Sequence, residues 1–186
     1  MRANSVGLAP GDVPAAFDAG AAAYDRLVNA NPEYHAHLRL SARRLRLPDG
    51  GRGLRLLDAG CGTGASTAAL LTVAPHADIV AVDASQRMLD AALAKRWPPS
   101  VRFVHAPVEE LAQHGITGPF DAIFAAYLVR NLSDPDRQLR SLRTLLRAGG
   151  TLAVHEYSVR DSRAATWIWH AVCWSIIIPA GWWRTR

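Results

Sequence analysis

Leu56-Leu57-Asp58-Ala59-Gly60-Cys61-Gly62-Thr63-Gly64, with Asp83 nineteen residues beyond the last glycine, constrains this chain more than any other stretch. The apolar run Leu54, Leu56, Leu57 reads as a buried strand that the glycines end in a tight turn. Ala65 to Val73 then reads as a helix. Glycine backbone lets a ligand approach closely, and a helix N-terminus presents unpaired N–H groups to it. A second strand, Ile79-Val80-Ala81-Val82, ends at Asp83, whose carboxylate can accept hydrogen bonds from both hydroxyls of a ribose. This pattern implies an α/β sheet that binds a nucleoside cofactor.

Two cofactors compete for the loop. Read as G-x-G-x-x-G/A it is Gly60, Gly62, Ala65, and an acid about 20 residues on completes a dinucleotide fingerprint. Read as D-x-G-x-G-x-G it is Asp58, Gly60, Gly62, Gly64, which resembles motif I of the class I S-adenosylmethionine (SAM) methyltransferases. Asp58 discriminates between them. A carboxylate there would repel a pyrophosphate but favour the ammonium of a SAM amino-acid moiety, directly or through water.

Later segments extend the resemblance. Phe120 to Tyr127 reads as a fourth strand entered after Gly118-Pro119, and Leu145 to Val154 as a helix end, a glycine turn and a fifth strand. The latter resembles the L-(R/K)-P-G-G-x-L-x-(V/I) segment of class I methyltransferases, with Ala148 in place of proline. Leu128-Val129-Arg130-Asn131-Leu132 resembles the L-R-N-V segment of the ubiquinone/menaquinone biosynthesis C-methyltransferases, and Val154-His155-Glu156-Tyr157-Ser158 their V-L-E-F-S. Phe17, Ala22, Tyr24 and Asp25 are similar to that family's F-x-x-x-A-x-x-Y-D pattern, so the likeness runs from about residue 14 to 183.

The resemblance implies a Rossmann-like sheet with flanking helices, seven strands ordered 3-2-1-4-5-7-6. Only five of them are legible, near 54–58, 78–83, 101–105, 120–126 and 151–157. The expectation is a loose N-terminus over 1–13 and one methyltransferase domain over 14–186 that lacks its closing hairpin, about 40–60 residues. Without that hairpin, strand 5 is an exposed edge and activity is reduced.

The residues expected to hold SAM are Asp58, Gly60, Cys61, Gly62, Gly64, Asp83, Ala84, Val108 and Ala125, and Met88, which packs either on the adenine or in the core. After strand 3 the family has an Asp or Asn against the adenine, whereas this chain has Ala106-Pro107-Val108-Glu109, so adenine recognition is expected to be weakened and left to the Val108 N–H. Arg130 and Asn131 are the expected catalytic pair, holding a water or phenolic oxygen, with Tyr24 lining the substrate pocket. Arg130 stays protonated, so its role is electrostatic stabilisation of a developing phenolate.

At 186 residues the chain suffices for one sizeable core. Leu47-Pro48-Asp49-Gly50-Gly51 is its one linker-like stretch. Cys61 and Cys173 suggest no disulfide framework, so a cytoplasmic location is expected. The net charge of +5 comes mostly from arginine, with Arg137, Arg140, Arg143 and Arg147 on a helix expected over Asp134–Ala148. That face is solvated, or else contacts an anionic membrane surface peripherally; nucleic acid is disfavoured because no aromatics interleave with the charge. From Ala164 to Trp183 the chain is nearly all apolar with five tryptophans, and reads as a buried or interfacial helix covering a greasy substrate. No histidine or cysteine spacing suits a metal.

The expected function is SAM-dependent C-methylation of a small lipophilic quinol. Its alternatives are methylation of another small apolar molecule, an inactive SAM-binding fragment and an NAD-dependent oxidoreductase. The last lacks support in a Y-x-x-x-K pattern, since Lys95 is the single lysine.

Overall fold

The computed structural model describes residues 17–18 and 30–156. Every element below belongs to the unit spanning residues 1–156. Tyr24, the 1–13 segment and the Trp-rich stretch Ala164–Trp183 lie outside the described residues.

Five strands, β1 Arg55–Ala59, β2 Asp78–Asp83, β3 Val101–His105, β4 Phe120–Ala126 and β5 Leu146–His155, form one parallel sheet in the order β3-β2-β1-β4-β5. The helices are α1 Pro32–Arg43, α2 Ala65–Val73, α3 Gln86–Leu93 and α4 Pro135–Thr144. This is the expected Rossmann-like arrangement of strands 3-2-1-4-5.

Both faces of the sheet are covered, as an all-parallel sheet requires. Alternation along β1 sends Leu56 into a core with Leu38, Leu70 and Phe124, and Leu57 into a second with Val82, Ile123 and Leu142. Helix starts follow local capping chemistry. Asn31 caps α1 by accepting from the Tyr34 N–H, Ser85 caps α3 through Met88, and Asp134 caps α4 through Arg137, with Pro32 and Pro135 in the first turns.

Two expectations need correction. Helix α4 stops at Thr144 rather than Ala148, and β5 begins at Leu146 rather than near 151. Strand pairing, not the glycine pair, ends the helix: the Phe120 N–H donates to the Leu145 carbonyl at 2.8 Å, and Leu146 is in register with Phe120. Gly149 and Gly150 therefore sit inside an irregular strand whose register shifts between Phe120 and Ala122. The linker-like stretch is not a linker either. Pro48–Gly51 forms a 3₁₀ turn with Gly51 buried, tied down by the His76 N–H on the Gly50 carbonyl at 3.0 Å.

Among the described residues no helix is long and apolar enough to cross a membrane.

Candidate active site

Carboxyl ends of parallel strands leave a crevice where the strand order reverses, here between β1 and β4. A cavity of about 360 Å³ opens at that point. Its cofactor side is built from the glycine loop after β1, the end of β2 and the start of α3.

Within the loop, backbone donors are largely spent on the protein itself. The Gly60 and Cys61 N–H groups both donate to the Val82 carbonyl at 2.9 Å, and the Gly64 N–H donates to the Cys61 carbonyl at 2.9 Å. The Gly62 N–H donates to Asp83 Oδ2 at 2.7 Å. What the loop offers a ligand is therefore carbonyl and carboxylate oxygen, an environment for a cation and a poor one for a phosphate. At Gly62, φ is +54° and a Cβ would meet nothing within 4 Å, so the bare backbone borders open space in the cavity. Only a residue at ease with positive φ leaves that approach clear.

Asp83 is organised from two sides. Its Oδ1 accepts from the Ser85 N–H at 2.9 Å while Oδ2 accepts from Gly62. Each oxygen keeps a lone pair for a further donor, such as one hydroxyl of a ribose. Burial pushes its pKa up, against the pull of those backbone bonds.

Asp58 lies beneath the loop, fully buried at the end of β1. Its Oδ2 accepts from the hydroxyls of Ser66 at 2.8 Å and Thr67 at 2.6 Å. Its Oδ1 is buried with no hydrogen-bond partner, as is Oγ1 of Thr63. An unanswered carboxylate oxygen below a donor-poor loop suits the ammonium of an amino-acid moiety, directly or through water.

Burial raises the Asp58 pKa to about 7, with the charge of Asp83 adding to the rise. Between about 4 and about 7 the folded protein holds this proton and the unfolded chain does not. The folded state's stability from this group is thus full at low pH and falls as pH rises through that window. Asp58→Asn has no such dependence. Its thermal midpoint, relative to the wild type, should rise between about pH 5 and about pH 7 and then level off; a constant offset would assign Asp58 an ordinary pKa.

The other predicted site residues divide. Gly60, Gly62, Asp83, Ala84 and Met88 line the cavity, and so do Val108, Arg130 and Asn131 across it. Asp58, Cys61, Gly64 and Ala125 do not line it. Cys61 and Ala125 are buried, and Gly64 caps α2 with the Trp97 ring packed where a Cβ would stand. Pro107 lines the cavity beside Val108, as the loop after strand 3 implied.

Several wall residues were not singled out from sequence: Ser85, Glu109, Leu128 and Tyr127. A signal for Ser85 existed, since a serine after a strand and before a helix is a cap pattern. Phe17 also reaches the cavity, and the neighbouring Asp18 carboxylate accepts from the Ser85 hydroxyl at 2.5 Å and from the Arg87 N–H at 3.2 Å.

The expected acceptor side is held by ion pairing. Arg130 Nη1 lies 2.9 Å from Glu156 Oε2, and its guanidinium sits 5.1 Å from the centre of the Tyr127 ring. Asn131 Nδ2 donates to the Tyr127 carbonyl at 3.1 Å. The Arg-Asn pair thus faces the cavity with part of its hydrogen bonding already committed to the ends of β4 and β5.

Known proteins are similar to this chain in sequence and in fold. The demethylmenaquinone methyltransferase of Clavibacter sepedonicus is 34% identical over 160 residues, covering 85% of this chain and 62% of that protein. The ubiquinone/menaquinone biosynthesis C-methyltransferase UbiE of Idiomarina loihiensis is 31% identical over 135 residues, covering 70% of this chain and 53% of the relative. The chain thus spans less than two thirds of the length of these relatives. Among solved structures, the plantazolicin methyltransferase BpumL in complex with SAH superposes with a TM-score of 0.60 at 15% identity, covering 78% of this chain and 56% of that one, a likeness of fold. Residues 56–150, half of the chain, match the methyltransferase domain profile, and the chain belongs to that family.

Proposed function

We propose that this protein is a SAM-dependent methyltransferase that methylates a ring carbon of a small lipophilic quinol. The observation that carries the cofactor assignment is the loop's spent amides above the unpartnered Asp58 Oδ1. A dinucleotide needs free amides for its pyrophosphate, and this loop turns four of them inward. SAM supplies an electrophilic methyl group in an in-line displacement. The chain's own residues then have the tasks of binding, alignment and water exclusion.

Asp83 would hold the ribose, Asp58 and the loop carbonyls the amino-acid end, and Met88 and Val108 the adenine. On the acceptor side Phe17, Leu128 and Leu132 give the cavity apolar walls, with Arg130 as its cation. Such a site suits a flat aromatic ring carrying a hydroxyl that develops negative charge. The named relatives that act in quinone biosynthesis support the same substrate class.

Calorimetric titration with S-adenosylhomocysteine and with NADH tests the cofactor. Saturable binding of the first alone is expected, and binding of NADH alone would overturn the assignment. Incubation with radiolabelled SAM and a short-chain demethylnaphthoquinol should then label the quinone ring. Label on any other acceptor class, with none on the quinol, would reject the substrate.

A further inference from the structure

A chain of polar side chains runs from β4 through β5 to α1. Tyr127 closes β4 and lines the cavity, and its φ of +56° is one that a bulky side chain rarely adopts. Its hydroxyl lies 2.9 Å from His155 Nε2, at the end of β5. His155 Nδ1 in turn lies 2.7 Å from the hydroxyl of Ser41, on α1. Three elements remote in sequence thus meet in a chain of hydroxyl, imidazole and hydroxyl, of which Tyr127 is a cavity-lining residue. The Tyr127 ring is stacked on Tyr34 at 5.1 Å and edge-on to His155 at 4.8 Å, so the phenol has little freedom to turn away. In the segment that resembles V-L-E-F-S, His155 stands where leucine does, so this chain puts a basic nitrogen at a position the pattern makes apolar.

We infer that Tyr127 and His155 form a proton relay that receives the phenolic proton of the methyl acceptor, with Ser41 fixing the imidazole tautomer. This rests on the phenolic acceptor proposed above. The acceptor's O–H bond breaks and its proton joins Tyr127 Oη. The hydroxyl proton of Tyr127 passes to His155 Nε2, while Nδ1–H donates to the Ser41 oxygen. The electron pair left on the acceptor oxygen delocalises to the ring carbon that takes the methyl group. When that carbon then loses its hydrogen to solvent, the relay returns its proton to the acceptor oxygen, so one proton leaves overall. Arg130 stabilises the phenolate in the interval. Tyr127 meets the acceptor directly, whereas His155 is a positioning residue that acts through it.

The surroundings keep His155 ready to accept. Burial, with His37 of α1 and Arg44 just past its end, holds its pKa below the ordinary imidazole value, while Glu156 pulls the other way. Among the described residues, the Arg130 guanidinium, paired with Glu156, also lies over the Tyr127 ring.

The test uses 1-naphthol as the phenolic probe, added to the protein saturated with S-adenosylhomocysteine, and reads its ionisation by absorbance as pH is varied. Tyr127→Phe keeps the ring stacking and removes only the hydroxyl; His155→Gln keeps a hydrogen-bonding group that cannot take a proton. Bound naphthol should ionise at a pH about one unit or more lower in the wild type than in either variant. Ionisation at the same pH in all three, with S-adenosylhomocysteine affinity and thermal midpoint unchanged, would overturn the relay and leave the phenolic acceptor standing. Failure of naphthol to bind a protein that still binds S-adenosylhomocysteine would overturn both.

Discussion

Asp83→Ala is expected to weaken S-adenosylhomocysteine binding by about a hundredfold or more while leaving a cooperatively folded protein. The effect has two sources. The carboxylate is the acceptor proposed for the ribose hydroxyls, and hydrogen bonds to a charged group are worth roughly 1.5–3 kcal/mol each. It is also the anchor of its own loop, bonding the Gly62 N–H at 2.7 Å and the Ser85 N–H at 2.9 Å. Losing it leaves the Gly62 and Ser85 amides without that acceptor and loosens both the glycine turn and the entry to α3. Stability should fall only modestly: two amides lose their acceptor, while the burial that holds the Asp83 pKa up already opposed its ionised form. Calorimetric affinity within about threefold of the wild type would remove Asp83 from the cofactor site.

Gly51→Ala is expected to destabilise the fold by about 3 kcal/mol, from the positive-φ penalty and overpacking together. Gly51 has φ +77°, and a Cβ there would lie 2.7 Å from Ala74 Cβ, 2.9 Å from Ala77 Cβ and 3.1 Å from Ala74 Cα. None of those atoms belongs to a flexible side chain, so relief requires the turn to move away from the segment between α2 and β2. That segment sets the height at which β2 delivers Asp83. For a chain of this size the thermal midpoint should fall by about 6–12 °C. A fall of under about 2 °C would mean that the turn gives way freely and does not brace the sheet.

How much of this was legible in sequence follows from the range of the interactions. Strand β1, the glycine turn, α2 and the acid at the end of β2 are local patterns: an apolar run, three glycines, a helix-forming stretch and an aspartate. Each is set by residues within about two turns of itself, so the cofactor half could be read in order along the chain. The boundary between α4 and β5 was misplaced because Leu145 and Leu146 suit a helix end as well as a strand. Pairing with Phe120, about 25 residues away, decided between them. Pro48–Gly51 has a linker's composition, and only its burial against Ala74 and Ala77 makes it a structural turn.

Asp58 shows the same division within one residue. Its place two residues before the first glycine marked it as a cofactor carboxylate, and its type and spacing needed no more than the sequence. Full burial, the hydroxyls of Ser66 and Thr67 on one oxygen and the bare second oxygen needed the fold, and these set a pKa of about 7. Tyr127, His155 and Ser41 go further, since no spacing relates residues 41, 127 and 155. The sequence alone determined the fold class and the strand, glycine turn and helix that border the cavity, because short-range patterning and backbone chemistry specify them. The tertiary structure alone decided which side chains meet at the acceptor end, because strand order and helix packing bring together groups that the chain keeps far apart.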